Sequence, residues 1–193
     1  QGHIMTNKIA YQGERGANSD IACQEAFPNM EAVPYRTFED AFNAVESGET
    51  DLAMIPVENT IAGRVADIHH LLPNSRLSII AEHYLPIRFQ LMGLPGTKLS
   101  EIKRAKSHIM GLGQCRAFLR NHKIEGISAA DTAGAARQVA EDKDPETAAI
   151  APALAAKVYG LDILARDIED EDHNTTRFVV MSREPNDLTD VTE

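Results

Sequence analysis

Short apolar segments alternate along this chain with segments whose apolar residues recur at helical spacing, and this rhythm constrains the fold most. Lys8–Tyr11 and Leu52–Pro56 have the composition of buried strands, whereas Phe38, Phe42 and Val45 lie four and three residues apart, as on one face of a helix. Strands that alternate with helices in this way are typical of mostly parallel sheets. The sequence therefore predicts an α/β fold.

One strand-like stretch divides the chain into two sets of βα units. It runs from residue 77 to residue 92, is interrupted by Pro86, and is long enough to pass from one sheet into another. We expect two lobes joined by two crossovers: residues 8–84 plus 175–183 form the first, and residues 85–174 the second. Ligands of such folds bind at the carboxyl ends of strands, so we expect a ligand in the cleft between the lobes.

Local signals add detail to this outline. Thr37 and Asp40 have the spacing of a helix cap, and a further helix is predicted after Ser100. The acidic run 169–172 is expected to be a solvated loop, because four adjacent carboxylates are costly to bury.

The two ends are expected to lie outside the fold. Residues 1–4 precede Met5 and resemble a remnant of expression, so residues 1–7 are treated as a disordered start. Residues 184–193 are polar and are expected to be a tail or linker.

Composition limits the classes of function. Nineteen Lys and Arg against twenty-nine Asp and Glu give a net charge of −10, which disfavours nucleic acid as a partner. The chain has no apolar run of membrane-spanning length and no signal-peptide pattern, and its two cysteines form no CxxC motif, so we expect a cytoplasmic protein without a membrane partner. The seven histidines lack ligand spacing, so we expect no metal, and we expect no other cofactor.

Four polar loops follow predicted strands: residues 13–19, 58–63, 107–115 and 131–133. The first, third and fourth open helices, whose free N–H groups can hold a carboxylate without a lysine. Each loop taken alone is better explained as an ordinary βα turn.

The segment from Asn174 to Phe178 combines two further chemical groups. Arg177 can bind a carboxylate through two hydrogen bonds, and the hydroxyl of Thr176 can donate a proton to a leaving oxygen. On local grounds the same residues also suit the threonine-rich start of a strand with an exposed arginine.

Together these motifs resemble those of prephenate dehydratases in order and spacing, over nearly the whole segment from Lys8 to Arg183. The Asn-x-Thr-Arg-Phe motif is the most specific of them. The matching residues are Tyr11-Gln12-Gly13, Gly16, Ser19, Pro56-Val57-Glu58-Asn59-Thr60, Gly63, Val65, Ser107-His108, Gln114-Cys115, Thr132-Ala133, Ala135-Ala136 and Asn174-Thr175-Thr176-Arg177-Phe178.

The resemblance implies a two-lobed fold like that of type II periplasmic binding proteins. It also implies conversion of prephenate into phenylpyruvate, water and carbon dioxide in L-phenylalanine biosynthesis. Thr176 takes the catalytic role and Arg177 that of carboxylate partner. The other implied substrate-binding residues are Asn59, Thr60, Ser107, Thr132, Ala133, Asn174 and Phe178.

The chain also departs from the family pattern. Ile109-Met110 stands where the family usually carries Pro-Gln, Thr60 stands where Ser is commoner, and Asp131 stands where a Ser is often found. The first change puts the ligand contact of its loop in doubt. Family members usually continue into a regulatory ACT domain. This sequence is too short to contain one, either because it was cut or because the natural protein lacks it, so we assign no regulatory site.

Two other functions stay open. Arogenate dehydratase differs only in the amino group that its substrate carries in place of a keto group. A non-catalytic module that binds a small carboxylate uses the same architecture but has no need of the Thr-Arg pair. We also expect the protein to be a homodimer, which is the common outcome for soluble enzymes.

Overall fold

The computed structural model describes residues 5–185, which contain eleven strands and seven α-helices. The strands are β1 Lys8–Gln12, β2 Glu31–Tyr35, β3 Leu52–Asn59, β4 Gly63–Arg64, β5 Ser78–Pro86, β6 Gln90–Gly93, β7 Arg104–His108, β8 Glu125–Ala129, β9 Thr147–Ala151, β10 Asp162–Ala165 and β11 Thr175–Ser182. The helices are α1 Asn18–Ala26, α2 Phe38–Glu46, α3 Ala66–Leu71, α4 Ile109–Gly113, α5 Arg116–Asn121, α6 Thr132–Asp142 and α7 Ala153–Tyr159.

The chain divides into two compact units, each built around one sheet. Of the described residues, the first unit contains 5–14, 18–86 and 174–185, and the second contains 15–17 and 87–173. The stretch broken by Pro86 does pass from one sheet to the other, because β5 and β6 belong to different sheets.

The α/β class is confirmed, but the two sheets are mixed, so the expectation of mostly parallel sheets needs correction. The first sheet has the order β2-β1-β3-β11-β5, in which β1 is parallel to β2 and β3, and β11 is antiparallel to β3 and β5. Helical crossovers connect the parallel strands, whereas β11 arrives through an irregular segment and runs the other way.

Helices cover both faces of the first sheet. Helix α1 packs against β1, β3 and β5, while α2 and α3 pack on β3 from the opposite face. Phe42 of α2, Ile68 of α3, and Ile55, Val179 and Met181 of the sheet form the buried cluster on that opposite face. Residues 177, 179 and 181 of β11 therefore point towards α2 and α3, and residues 176, 178 and 180 point the other way.

The second sheet has the order β10-β6-β9-β7-β8 and is also mixed. Strand β7 is parallel to β8 and β9, whereas β6 is antiparallel to β9 and β10. Small residues such as Ala135, Ala136 and Ala149 fill the core between α6 and this sheet, which lets the helix approach closely.

Several local predictions can be checked directly. The Thr37 cap is confirmed, since its side chain accepts a hydrogen bond from the N–H of Asp40 at 3.0 Å. The helix predicted after Ser100 is wrong, because only a 3-10 turn spans Leu99–Glu101. The N–H of Lys103 bonds instead to the carbonyl of Glu146 at 2.8 Å, which draws the chain into β7.

The acidic run was expected to be a solvated loop. Asp170, Glu171 and Asp172 are exposed, as expected, whereas the side chain of Glu169 is buried. Glu169 is buried and accepts from the guanidinium of Arg88 at 3.2 Å and from the N–H of Phe89 at 3.0 Å. Asp170 accepts from the N–H groups of Arg116 and Ala117, which begin α5. Burial of the Glu169 side chain is tolerated because its carboxylate accepts from two donors.

At the amino end, the carboxylate of buried Asp51 accepts from the N–H groups of Thr6 and Asn7 at 3.0 and 2.8 Å. The predictions for residues 1–4 and 186–193 lie outside the described residues. Within residues 5–185, no helix is both long and apolar enough to cross a membrane.

Arg183 joins the end of β11 to α2, because one guanidinium nitrogen donates to the carbonyls of Val45 and Thr50. We predict that Arg183→Met lowers the free energy of unfolding by about 2–3 kcal/mol, because two carbonyls lose a charged donor. Urea denaturation measures the change. Exposed Arg76 is the control, and the account is contradicted if Arg76→Met costs as much.

Candidate functional site

The polar residues of the first unit meet where β3 ends and β11 begins. In the antiparallel register, Asn59 lies opposite Thr176 and Glu58 lies opposite Arg177. A bulge follows, because Phe178 pairs with Pro56 and leaves Val57 of β3 without a partner in β11. Bulges next to functional sites re-aim the neighbouring side chains.

Asn59 is the centre of this cluster. Its side-chain NH₂ group donates to Oδ1 of Asn174 at 2.6 Å and to Oγ1 of Thr176 at 2.9 Å. Its Oδ1 accepts from the N–H groups of Ile61 and Ala62, both at 2.9 Å. Two donors and two acceptor positions are therefore used, and they fix the orientation of the amide.

Thr60 ties the same two segments together through its backbone and side chain. Its N–H donates to the carbonyl of Thr175 at 3.0 Å, and its Oγ1 accepts from the N–H of Thr175 at 2.9 Å. Thr60 is thus a structural partner of β11 in the described contacts.

The hydroxyl of Thr176 is placed as a proton donor. A lone pair of Oγ1 accepts the Asn59 amide, so the hydroxyl keeps its own proton for another acceptor. The amide N–H also stabilises negative charge that develops on Oγ1 when that proton leaves. The residue is half-buried and Asn174 beside it is buried, which limits competition from water.

Arg177 lies on the other face of the sheet from Thr176. Successive side chains of a strand point to opposite faces. The guanidinium of Arg177 instead pairs with Glu82 at 3.2 Å and with Glu58 at 3.8 Å. This alternation was readable from the sequence once the motif was placed on a strand.

Three of the other predicted substrate-binding side chains are buried in packing positions. Ser107 is fully buried and its hydroxyl donates to the carbonyl of Ile150 at 2.8 Å, which joins β7 to β9. Ala133 and Phe178 have 0% and 1% of their surface exposed. Contact of these three residues with a substrate stays a prediction.

Thr132 is the first residue of α6, and it belongs to the second unit, as Ser107 and Ala133 do. The carboxylate of Asp131 caps this helix by accepting from the N–H of Gly134. Asp131, which departs from the family pattern, therefore serves as a cap. Another departure from the family pattern, Ile109-Met110, lies at the start of α4, and both of its side chains are exposed.

Neither cysteine is placed as a nucleophile. Burial, together with the charges of Asp170 and Glu169, raises the pKa of Cys115 to about 12. Burial, with a contribution from Asp20, also raises the pKa of Cys23. In the part of the chain that the structure describes, no cluster of three or more His, Cys, Asp or Glu side chains is arranged to hold a metal ion.

The residues that sequence reasoning missed are Glu58 and Glu82 as partners of Arg177, and Glu169 as partner of Arg88. Strand pairing brings Glu82 to Arg177 across 95 positions of sequence, and no local pattern indicates it.

These features define a class: a two-unit α/β chain with an asparagine-oriented threonine hydroxyl at the end of a mixed sheet. Residues 9–186 match the family model described as prephenate dehydratase. The chain belongs to the prephenate dehydratase family.

Two curated relatives illustrate the similarity. The chain is 44% identical to a bifunctional N-acyl-homoserine lactone acylase/prephenate dehydratase of Komagataeibacter europaeus, over 92% of this chain and 63% of that protein. It is 45% identical to arogenate dehydratase/prephenate dehydratase 1, chloroplastic, of Arabidopsis thaliana, over 92% of this chain and 45% of that protein. The chain thus spans about half the length of the curated relatives it matches.

Solved structures agree on the fold. A prephenate dehydratase from Arthrobacter aurescens, in complex with L-Phe, matches with a TM-score of 0.84 and 32% identity over 92% of this chain and 60% of that one. A nutrient binding protein from Burkholderia cenocepacia, bound to methionine, matches with a TM-score of 0.50 and 11% identity over 98% and 90%. The second likeness concerns the fold alone and confirms the periplasmic-binding-protein-like architecture.

We predict that both thiols resist modification in the folded protein, since their raised pKa values keep them protonated at pH 8. The ordinary pKa of a thiol, which applies to the unfolded chain, is 9.0. The stability that neutral Cys115 contributes is therefore present below pH 9 and is lost as the pH rises towards 12. Reaction with a chromogenic disulfide, with and without denaturant, tests this. Rapid reaction of one thiol in the native protein would contradict it.

Proposed function

We propose that this chain is the catalytic part of a prephenate dehydratase, a carbon-oxygen lyase of L-phenylalanine biosynthesis. Family membership supports the reaction class. The observation that carries the proposal is the hydrogen bond from Asn59 to Oγ1 of Thr176, which leaves the threonine proton available.

In this reaction the ring carboxylate leaves as carbon dioxide, and the electrons of the broken C–C bond aromatise the ring as the ring hydroxyl departs. Thr176 donates its proton to the departing hydroxyl, which leaves as water. The Asn59 amide stabilises the charge left on Oγ1 until solvent returns a proton. A positioned proton donor accelerates such a step by about 10²–10⁴-fold.

The remaining predicted residues take supporting roles. Asn174 and Thr60 hold the amide and the start of β11 in place through the bonds described above. That Thr132 and Ala133, which begin α6 in the second unit, bind a substrate stays a prediction. No metal or other cofactor enters this proposal.

Acyl transfer, which the name of the Komagataeibacter europaeus relative includes, is the less favoured activity. A nucleophilic hydroxyl requires a base that accepts its proton, whereas Oγ1 of Thr176 faces an amide donor. The raised pKa of Cys115, about 12, also opposes a thiolate nucleophile.

We further propose that the protein is a cytoplasmic homodimer, and arogenate dehydratase stays the alternative activity. Both cysteines are free thiols in the structure, which is compatible with a reducing compartment.

The direct test supplies prephenate, arogenate or an N-acyl-homoserine lactone to purified protein. Phenylpyruvate is followed by its absorbance in alkali, phenylalanine by amino-acid analysis and the acylase reaction by released fatty acid. The proposal predicts the largest kcat/KM for prephenate. Binding of prephenate without turnover would favour the non-catalytic module, and a larger kcat/KM for arogenate would reverse the substrate assignment.

Replacing Thr176 by Val removes the hydroxyl and preserves the shape of the side chain. We predict a loss of about 10²–10⁴-fold in kcat, and a smaller loss for Thr176→Ser. Thr175→Val is the control, because Thr175 is adjacent and its bonds to Thr60 use its backbone. Near-normal turnover of Thr176→Val would rule out the proton-donor role.

Asn59→Asp separates the two functions of the amide. The carboxylate still accepts from Ile61 and Ala62, but it cannot donate to Thr176 or Asn174 and places negative charge beside Oγ1. We predict a fall in kcat of about 10²-fold, the size seen when one charge-stabilising donor is removed. Unchanged kcat in a folded Asn59→Asp variant would show that the amide does not assist.

A further inference from the structure

We propose that Arg177 is a positioning residue that holds Thr176 in place, and that it is not a ligand of the substrate. This inference rests on the proposed function, because it assigns a role relative to the proton donor. It also reverses the role that the family resemblance implies for this arginine.

The contacts of Arg177 span three neighbouring strands. Its guanidinium reaches Glu82 of β5 at 3.2 Å and Glu58 of β3 at 3.8 Å, while its own strand, β11, runs between those two. Two carboxylates therefore already neutralise this cation.

The direction of the side chain supports the same role. Strand alternation places Arg177 on the face of α2 and α3, and Thr176 on the opposite face. The Nε atom of Arg177 is buried and has no hydrogen-bond partner among the described residues, so the base of the side chain lies against the sheet and not in solvent. Reaching the face of Thr176 would require the strand to turn over.

The bulge explains why this position needs an anchor. Val57 interrupts the pairing of β3 with β11 directly beside the Glu58–Arg177 pair. A strand with a bulge has an alternative pairing one residue away, and that slip would move Asn59 away from Thr176. The Arg177–Glu58 contact joins β11 to β3 at this position, so it favours the observed register over the shifted one.

Because these side chains are partly exposed, they can be replaced without unfolding the protein, so the positioning role can be tested in folded variants. The side chains of Arg177, Glu58 and Glu82 are 36%, 54% and 48% exposed, and exposed ion pairs contribute little to stability. Their removal should therefore change geometry more than folding.

The experiment compares Arg177→Met with the double variant Glu58→Gln plus Glu82→Gln. A positioning role predicts that both lower kcat by about 10²-fold, the cost of misplacing a reacting group by about 1 Å, with KM nearly unchanged. The triple variant should lower kcat no further than Arg177→Met or the double variant does, because all three substitutions disrupt the same group of ion pairs. Arg177→Lys should recover part of the loss.

If Arg177 binds the substrate, the same variants should give different results. Arg177→Met would then raise KM, and the double glutamine variant would leave kcat unchanged or lower KM by freeing the cation. That result would overturn the proposal. Arg104→Met is the matched control, since Arg104 is also 36% exposed and also pairs with two carboxylates, Asp144 and Glu146. It should retain normal kcat and KM.

A second measurement separates this inference from the proposed function. The side-chain NH₂ signals of Asn59 in an NMR spectrum report its bonds to Asn174 and Thr176. Arg177→Met should shift these signals and Arg104→Met should not, whatever reaction the protein catalyses. Unmoved Asn59 signals in Arg177→Met would contradict the positioning role even if the wild-type chain dehydrates prephenate.

Discussion

The amide of Asn59 uses both of its N–H groups and both acceptor positions of its oxygen at the junction of β3 and β11. The chemistry proposed for the first unit depends on this arrangement. An amide that is satisfied on every side cannot rotate without breaking several bonds, so it presents a fixed donor to Thr176. The strand order brings the two residues together across 117 positions of sequence.

Around this contact, the two faces of the sheet carry different functional groups. One face carries the hydroxyl and its amide donor, and the other carries Arg177 with two carboxylates. Because adjacent residues of a strand face opposite ways, a two-residue motif such as Thr-Arg serves both faces at once. In this proposal Thr176 carries the chemistry, and Arg177 stabilises the pairing of β11 with β3 that places Asn59 beside Thr176.

Much of the fold was predictable because its signals are local. The strands at Lys8 and Leu52 and the Thr37 cap follow from apolar runs and capping chemistry. The direction of β6 and β11 was not predictable, since it depends on which edge of a sheet a returning strand joins. Burial of Glu169 depends on Arg88, which lies 81 positions away in the sequence. For the site, the motif resemblance selected Asn59, Asn174 and Thr176. It could not show whether Arg177, the next residue after Thr176, binds the substrate or positions Thr176 from the opposite face of the sheet.

The most direct test is a crystal structure with an unreactive substrate analogue that keeps the ring hydroxyl. The account predicts that this hydroxyl lies about 2.6–3.2 Å from Oγ1 of Thr176, within hydrogen-bonding reach, while Asn59 still donates to the same oxygen. An analogue bound with its hydroxyl far from Thr176, or with its carboxylate on the guanidinium of Arg177, would contradict the account.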